Sequence, residues 1–172
     1  FHARFHSLAE ITSDLPEMAR TLNSRLYRET GGEMFVTMIA GRIHPQSRTL
    51  SCVNAGHPPG YVLDAAGKIR MQFDSTNLPL AIVPELDFSA GVPFQLEDHD
   101  LVFFFTDGLV EAHCSGQPMF GTERTLEVIR EHRAKPAAEI IDAVYAAVRK
   151  HLGTSKPHDD ITLIVAKVGP RP

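Results

Sequence analysis

Five consecutive apolar residues, Leu101-Val102-Phe103-Phe104-Phe105, run without a break into Thr106-Asp107-Gly108. A strand with one wet face alternates apolar and polar side chains. A run that is apolar on both faces belongs to a strand buried between two layers. The chain must therefore build layered structure around this segment and carry it to the surface where the carboxylate of Asp107 begins. With 172 residues there is material for one compact domain with a real core, so a single domain over 1–172 is expected. The net charge of −4 argues against a nucleic-acid partner, which would call for a basic stripe. No apolar stretch approaches bilayer-spanning length, and the start shows no signal-peptide pattern, so no membrane association is expected.

The rest of the chain supplies the layers. Asp14 offers an N-cap oxygen and Pro16 suits a first helical turn; Leu15, Met18, Leu22 and Leu26 recur at helical spacing until Gly31-Gly32. This predicts a helix over 14–30. Residues 34–44 and 48–55 alternate and are joined by Pro45-Gln46-Ser47, an antiparallel hairpin. Residues 61–64 and 68–73 form a second pair around Ala65-Ala66-Gly67. A weaker strand is expected over 88–96, confined to an edge by Pro93. Two helices follow, 122–133 and 136–152, with Leu126, Ile129, Ile140, Val144, Val148 and Leu152 at core spacing. A last strand is expected over 161–168. Cys52 and Cys114 lack CxxC spacing and fit a reducing cytoplasm, with Cys52 a buried structural thiol. The nine histidines are scattered and form no zinc pattern.

Three short motifs carry chemistry. Asp107 stands where a buried strand reaches solvent, a rigid place to hold a metal ligand, with Gly108 letting the chain turn beside it. The plain alternative is an Asp-Gly turn. Asp159-Asp160 are adjacent carboxylates at a strand entrance, and a divalent cation would relieve their repulsion. Carboxylate oxygens suit Mg²⁺ or Mn²⁺. The alternative is a loop Asp beside a capping Asp. Asn54-Ala55-Gly56-His57-Pro58-Pro59 holds a histidine in a stiff loop, either lining a site or packing against the fold.

In order, NAGHPPGYVLD, LPLAIVP, LVFFFTDGLVEA, FG-x-E-R and HDDITLIV resemble the SpoIIE/RsbU branch of the PP2C-like (PPM) serine/threonine phosphatases. The resemblance runs from about Met34 to the C-terminus, and the 14–30 helix fits it. It implies an α+β fold, a PP2C-like α-β-β-α sandwich of two mainly antiparallel sheets flanked by helices. It implies a binuclear Mn²⁺ or Mg²⁺ centre, with Asp107, Asp159, Asp160 and Gly108 matching its metal-binding positions and His57 and Asn54 near them without an assigned catalytic step. The implied function is hydrolysis of phosphoserine or phosphothreonine on a small regulatory phosphoprotein of the anti-sigma-factor antagonist type, in cytoplasmic partner-switching signalling. An upstream sensor or receiver domain goes with that role, and sheet edges left open by an incomplete sandwich would invite homodimer pairing.

The chain departs from the family in three ways. The G-D and D-x-x-G-x-G motifs of a complete domain, which supply a bridging Asp and another metal contact, have no counterpart in Phe1–Ile11, where Glu10 is the lone carboxylate. The expectation is that this part and the first strands lie upstream. The other readings are strands lent by another chain, or an inactive pseudophosphatase that binds a regulator. Ala81 and His99 stand where the family has glycine.

Overall fold

Asp14 adopts an extended conformation (φ −82°, ψ 106°) and its side chain accepts the Glu17 N–H, so the helix begins one residue later. This helix, α2 (Leu15–Thr30), follows α1 (His2–Ile11) and ends on Gly31 in the left-handed region at φ 64°, whose N–H bonds the Tyr27 carbonyl. The computed structural model describes residues 2–170. The strands are β1 (Met38–His44), β2 (Thr49–Ala55), β3 (Gly60–Leu63), β4 (Ile69–Phe73), β5 (Phe94–Gln95), β6 (Leu101–Phe105) and β7 (Leu163–Lys167). The later helices are α3 (Asp107–Val110), α4 (Gly121–His132) and α5 (Ala137–Leu152). They make two sheets, ordered β1-β2-β5 and β4-β3-β6-β7, with every described strand pair antiparallel. The expected α+β class with antiparallel sheets and helices is what forms. Among the described residues no helix is long and apolar enough to cross a membrane.

The chain divides into two compact units. The first comprises the chain up to Pro59 with Phe73–Leu96. Its hairpin pairs Met38 with Ala55 through to His44 with Thr49. The apolar stripe of α2, Leu15, Met18, Ala19, Leu22 and Leu26, is buried with Ala40, Val53, Leu80 and Phe88. Each large aliphatic side chain so buried contributes roughly 1.5–3 kcal/mol. Asn23 on the same helix is fully buried; its amide donates to the Val83 and Pro84 carbonyls and accepts the Ala81 N–H. That one side chain fastens the LPLAIVP segment, whose backbone would otherwise carry unpaired groups. Burial pushes the Cys52 thiol up to about 12, which keeps it protonated and unreactive.

The second unit comprises Gly60–Gln72 and the chain from Glu97 onward. β6 lies between β3 and β7, the interior place its two apolar faces demand. Tyr61 stacks on Phe103 at 5.3 Å and on Phe105 at 6.1 Å. Leu126, Ile129, Ile140, Val144, Val148 and Leu152 from α4 and α5 pack into the same core.

Three expectations need adjustment. Of residues 88–96 only Phe94–Gln95 pair as strand, beside β2 at the sheet edge. Upstream of Pro93 the segment has only irregular bonds, such as Gly91 N–H to the Cys52 carbonyl at 3.3 Å. The first strand starts at Met38, not Met34, although Val36 bridges Leu80 in antiparallel fashion. Helix α1 went unforeseen because its residues lack a clear apolar stripe; among its described side chains Leu8 is buried in the core and Phe5 packs against it.

Ala81 and His99, where the resemblance implies glycine, both sit in the left-handed region, at φ 69° and 68°. For a residue with a Cβ this costs about 1–2 kcal/mol, whereas a glycine loses about 0.5–1 kcal/mol more chain entropy on folding. His99 is exposed, so His99→Gly is expected to stabilise the chain by about 0.5–1 kcal/mol. Ala81 is buried, and removing its methyl forfeits about 0.8 kcal/mol, which leaves Ala81→Gly near neutral. Urea midpoints of the two variants test this contrast; equal shifts would contradict it.

Candidate active site

At the end of β6 the chain does not simply turn. Thr106 stays extended (φ −82°, ψ 158°) and Asp107 opens the single-turn helix α3. Thr106 is a clamp. Its N–H donates to the Thr162 carbonyl at 3.0 Å, its Oγ1 accepts the Thr162 N–H at 2.9 Å, and its hydroxyl donates to the Asp160 carbonyl at 3.2 Å. One side chain thus ties the end of β6 to the segment leading into β7. Sequence reasoning assigned no role to Thr106 or Thr162. The available signal was a threonine beside each acidic motif, residues suited to local backbone bonding.

Gly108 has a different reason from the one expected. It is not in a left-handed conformation; it is buried in α3 with the Asp160 carbonyl oxygen pressed against it. A Cβ at this position would collide with that oxygen and lie 3.1 Å from the Asp160 carbonyl carbon and 3.4 Å from that of Asp159. The glycine is needed for close approach of two backbones, not for a turn. The expected turn at Thr106-Asp107-Gly108 is accordingly replaced by helix.

The consequence is chemical. Segments more than fifty residues apart in sequence bring Asp107 and Asp159-Asp160 to neighbouring places in one unit. Asp107 Oδ1 accepts the Gly108 N–H at 2.9 Å, and Asp159 Oδ1 accepts the Asp160 N–H at 2.7 Å. All three aspartates are exposed, and none forms an ion pair among the described residues. Exposed hard-oxygen donors without a protein cation match the preference of Mg²⁺ or Mn²⁺, which use one or two carboxylates and several waters. Among the described residues no group of three or more metal-ligating side chains is gathered closely enough to hold an ion alone. The rim nearby carries His158, whose ring lies 4.8 Å from that of His113 and tilted 34° to it, while His113 Nδ1 lies 2.7 Å from the Glu111 carbonyl oxygen.

His57 and Asn54 lie in the other unit. Asn54 is buried, accepts the His57 N–H at 2.9 Å and donates to the Phe73 carbonyl at 3.0 Å. The His57 ring sits 3.1 Å from the Thr37 hydroxyl. Gly56 is doubly required: φ is +70°, and a Cβ would run into the ring of Pro79. The NAGHPP motif is therefore a built loop in which Asn54 holds the backbone.

The family model for stage II sporulation protein E (SpoIIE) matches residues 2–169. The chain belongs to the SpoIIE family. This SpoIIE-family chain is 28% identical to Protein IcfG of Synechocystis sp. over 146 residues, 84% of this chain and 23% of that protein. It is 22% identical over 154 residues to the phosphoserine phosphatase RsbP of Bacillus subtilis, 90% of this chain and 36% of RsbP. Its fold matches the solved PP2C phosphatase domain, with a fragment of the regulatory domain, of the cell fate determinant SpoIIE from Bacillus subtilis. That match has a TM-score of 0.80 and 22% identity over 95% of this chain and 47% of that one. The SpoIIE-family chain thus spans about a quarter to a third of the curated relatives it matches.

Proposed function

We propose that this chain is the phosphatase module of a metal-dependent protein serine/threonine phosphatase acting on a small regulatory phosphoprotein. The observation that carries the reading is the packing of Gly108 onto the Asp159-Asp160 backbone, which brings the segments bearing three exposed carboxylates together, none of them ion-paired among the described residues. The relative named a phosphoserine phosphatase supports it. The match of one family model across residues 2–169 supports treating both units as one domain.

In this reading Asp107, Asp159 and Asp160 hold Mn²⁺ or Mg²⁺ through carboxylate oxygens, in a binuclear centre completed by acids outside Phe1–Ile11. Bound divalent metal would supply a water of lowered pKa and neutralise the phosphoryl oxygens. The protein's own part is to fix the acids. The amides of Gly108 and Asp160 orient one oxygen of Asp107 and of Asp159, and Thr106 locks the two segments together. His57 and Asn54 are proposed to line the site without transferring a proton. The substrate is proposed to be of the anti-sigma-factor antagonist type, with a sensor or receiver domain upstream, a cytoplasmic setting in keeping with two free thiols, and homodimer formation through open sheet edges.

The absence of a three-ligand group among the described residues favours a second reading, a non-catalytic adaptor that binds a regulator. The complete protein decides between them. Mn²⁺-dependent release of phosphate from a phosphoserine peptide, abolished by EDTA and restored by Mn²⁺, is expected. Peptide binding without any metal-dependent release would establish the adaptor instead.

A further inference from the structure

A groove of about 740 Å³ runs between α5 and the loop that follows it, and it ends at Asp159 and Asp160. Val148, Leu152 and Ile161 give it an apolar floor. The floor is stiff, because Val148 and Leu152 are buried in the core and the Tyr145 hydroxyl donates to the Ile161 carbonyl at 2.8 Å. Arg149 and Lys156 also line it. Both are exposed, and neither side chain has a hydrogen-bond or ion-pair partner among the described residues. Several other cations of this unit are held by the fold: Arg130 and Arg133 donate to the Gly67 and Ala65 carbonyls, Lys167 to those of Arg133 and Lys135, and Arg70 pairs with Glu97 and Asp100. Lys68 and Lys150, which like Arg149 and Lys156 have no such partner among the described residues, do not line the groove.

Two unpaired cations over an apolar floor, leading to a cluster of acids, match a particular ligand. An acidic segment of polypeptide would satisfy Arg149 and Lys156, and it would be repelled by Asp159 and Asp160 unless they hold a cation. We propose that the groove docks an acidic stretch flanking the phosphorylated serine of the substrate protein, with Arg149 and Lys156 as specificity-determining residues. The inference rests on the phosphatase reading for the word substrate; the docking chemistry is independent of it. Unlike-charge contacts of this kind set partner choice and weaken with salt.

The test uses the 172-residue chain in excess Mn²⁺, so that Asp159 and Asp160 can hold a cation, and three fluorescein-labelled peptides of ten residues with one serine flanked by acidic, neutral or basic residues. The peptides are unphosphorylated, so turnover plays no part, and binding is read by anisotropy. The acidic peptide is expected to bind about tenfold tighter than the basic one, a preference lost in about 0.5 M NaCl. Arg149→Glu with Lys156→Glu is expected to weaken the acidic peptide about tenfold, and Arg149→Gln with Lys156→Gln to give a smaller loss in the same direction. Arg25→Glu on α2, a charge reversal of the same kind in the other unit, is expected to change nothing. Equal binding of acidic and basic peptides, or wild-type binding by both groove variants, overturns the proposal. A charge preference without metal-dependent hydrolysis by the complete protein retains the groove and removes only the phosphatase reading; hydrolysis without a charge preference does the reverse.

Discussion

Asp107→Asn in the complete protein is expected to lower Mn²⁺-dependent phosphoserine hydrolysis by at least about 1,000-fold while leaving the fold intact. Asparagine keeps the shape of the side chain and an oxygen able to accept the Gly108 N–H, the one bond the Asp107 carboxylate makes among the described residues. α3, the Thr106 clamp and the close contact of Gly108 with Asp160 are all left in place. What is lost is a full negative charge at the position where a cation would be held. A divalent ion contributes several kcal/mol to a phosphoryl-transfer transition state, and about 4 kcal/mol corresponds to three powers of ten in rate. Rates at saturating and limiting Mn²⁺, together with the urea midpoint, make the measurement. Excess Mn²⁺ is expected to restore part of the lost activity if Asp107 acts by holding metal. Wild-type rates with an unchanged midpoint would remove Asp107 from the centre.

Arg70→Met is expected to destabilise the chain by about 3 kcal/mol at pH 7, and by distinctly less at pH 5. Asp100 is buried, and its carboxylate meets the Arg70 guanidinium at 2.5 Å and the Glu97 N–H at 2.8 Å. Arg70 also reaches Glu97 at 2.8 Å, but that partner is largely exposed and contributes little. Removing one member of a buried pair leaves an uncompensated charge, which costs about 3–5 kcal/mol. The pH dependence follows from Asp100. Burial raises its carboxyl above the ordinary carboxylate range, against the opposing pull of the Glu97 amide and the Arg70 charge. A folded value above the unfolded one, about 3.9, favours the fold fully at pH below the unfolded value and loses that effect as pH rises through the folded value. Without Arg70 the opposing pull weakens and the folded value climbs further. The variant then recovers stability by protonating Asp100 as pH falls, so the gap to wild type narrows on the acid side. Urea midpoints of both proteins at pH 7 and pH 5 test it. A gap that is equal at the two pH values would show that Arg70 acts through packing of its stem.

Much of this molecule was legible along the chain. Helix α2 announces itself by its cap, its apolar spacing and its terminal glycine, and Asp14 and Gly31 do in the structure what their chemistry provides for. The apolar run of β6 required an interior strand, and it has a neighbour on each side. The order of short motifs carried the family, which the match over residues 2–169 bears out. These signals are local, set by side-chain periodicity, caps and composition within a few residues. The sequence also determined which acids are candidates for the centre, because Asp107 and Asp159-Asp160 are written at strand ends.

Other features come from contacts between distant segments, which no local window records. Asn23 is a polar residue on a helix until the fold sets it against Val83, Pro84 and Ala81. Gly108 reads as a turn residue until Asp160 arrives against it, and Thr106 as a strand end until Thr162 pairs with it. The irregular course of residues 88–92 and the left-handed backbone at Ala81 and His99 follow from tertiary fit overriding strand and side-chain preference. The chain by itself named the chemistry available, through its residue types and their order. Only the tertiary structure decided which acidic segments are neighbours, because that depends on backbone packing across more than fifty residues of intervening chain.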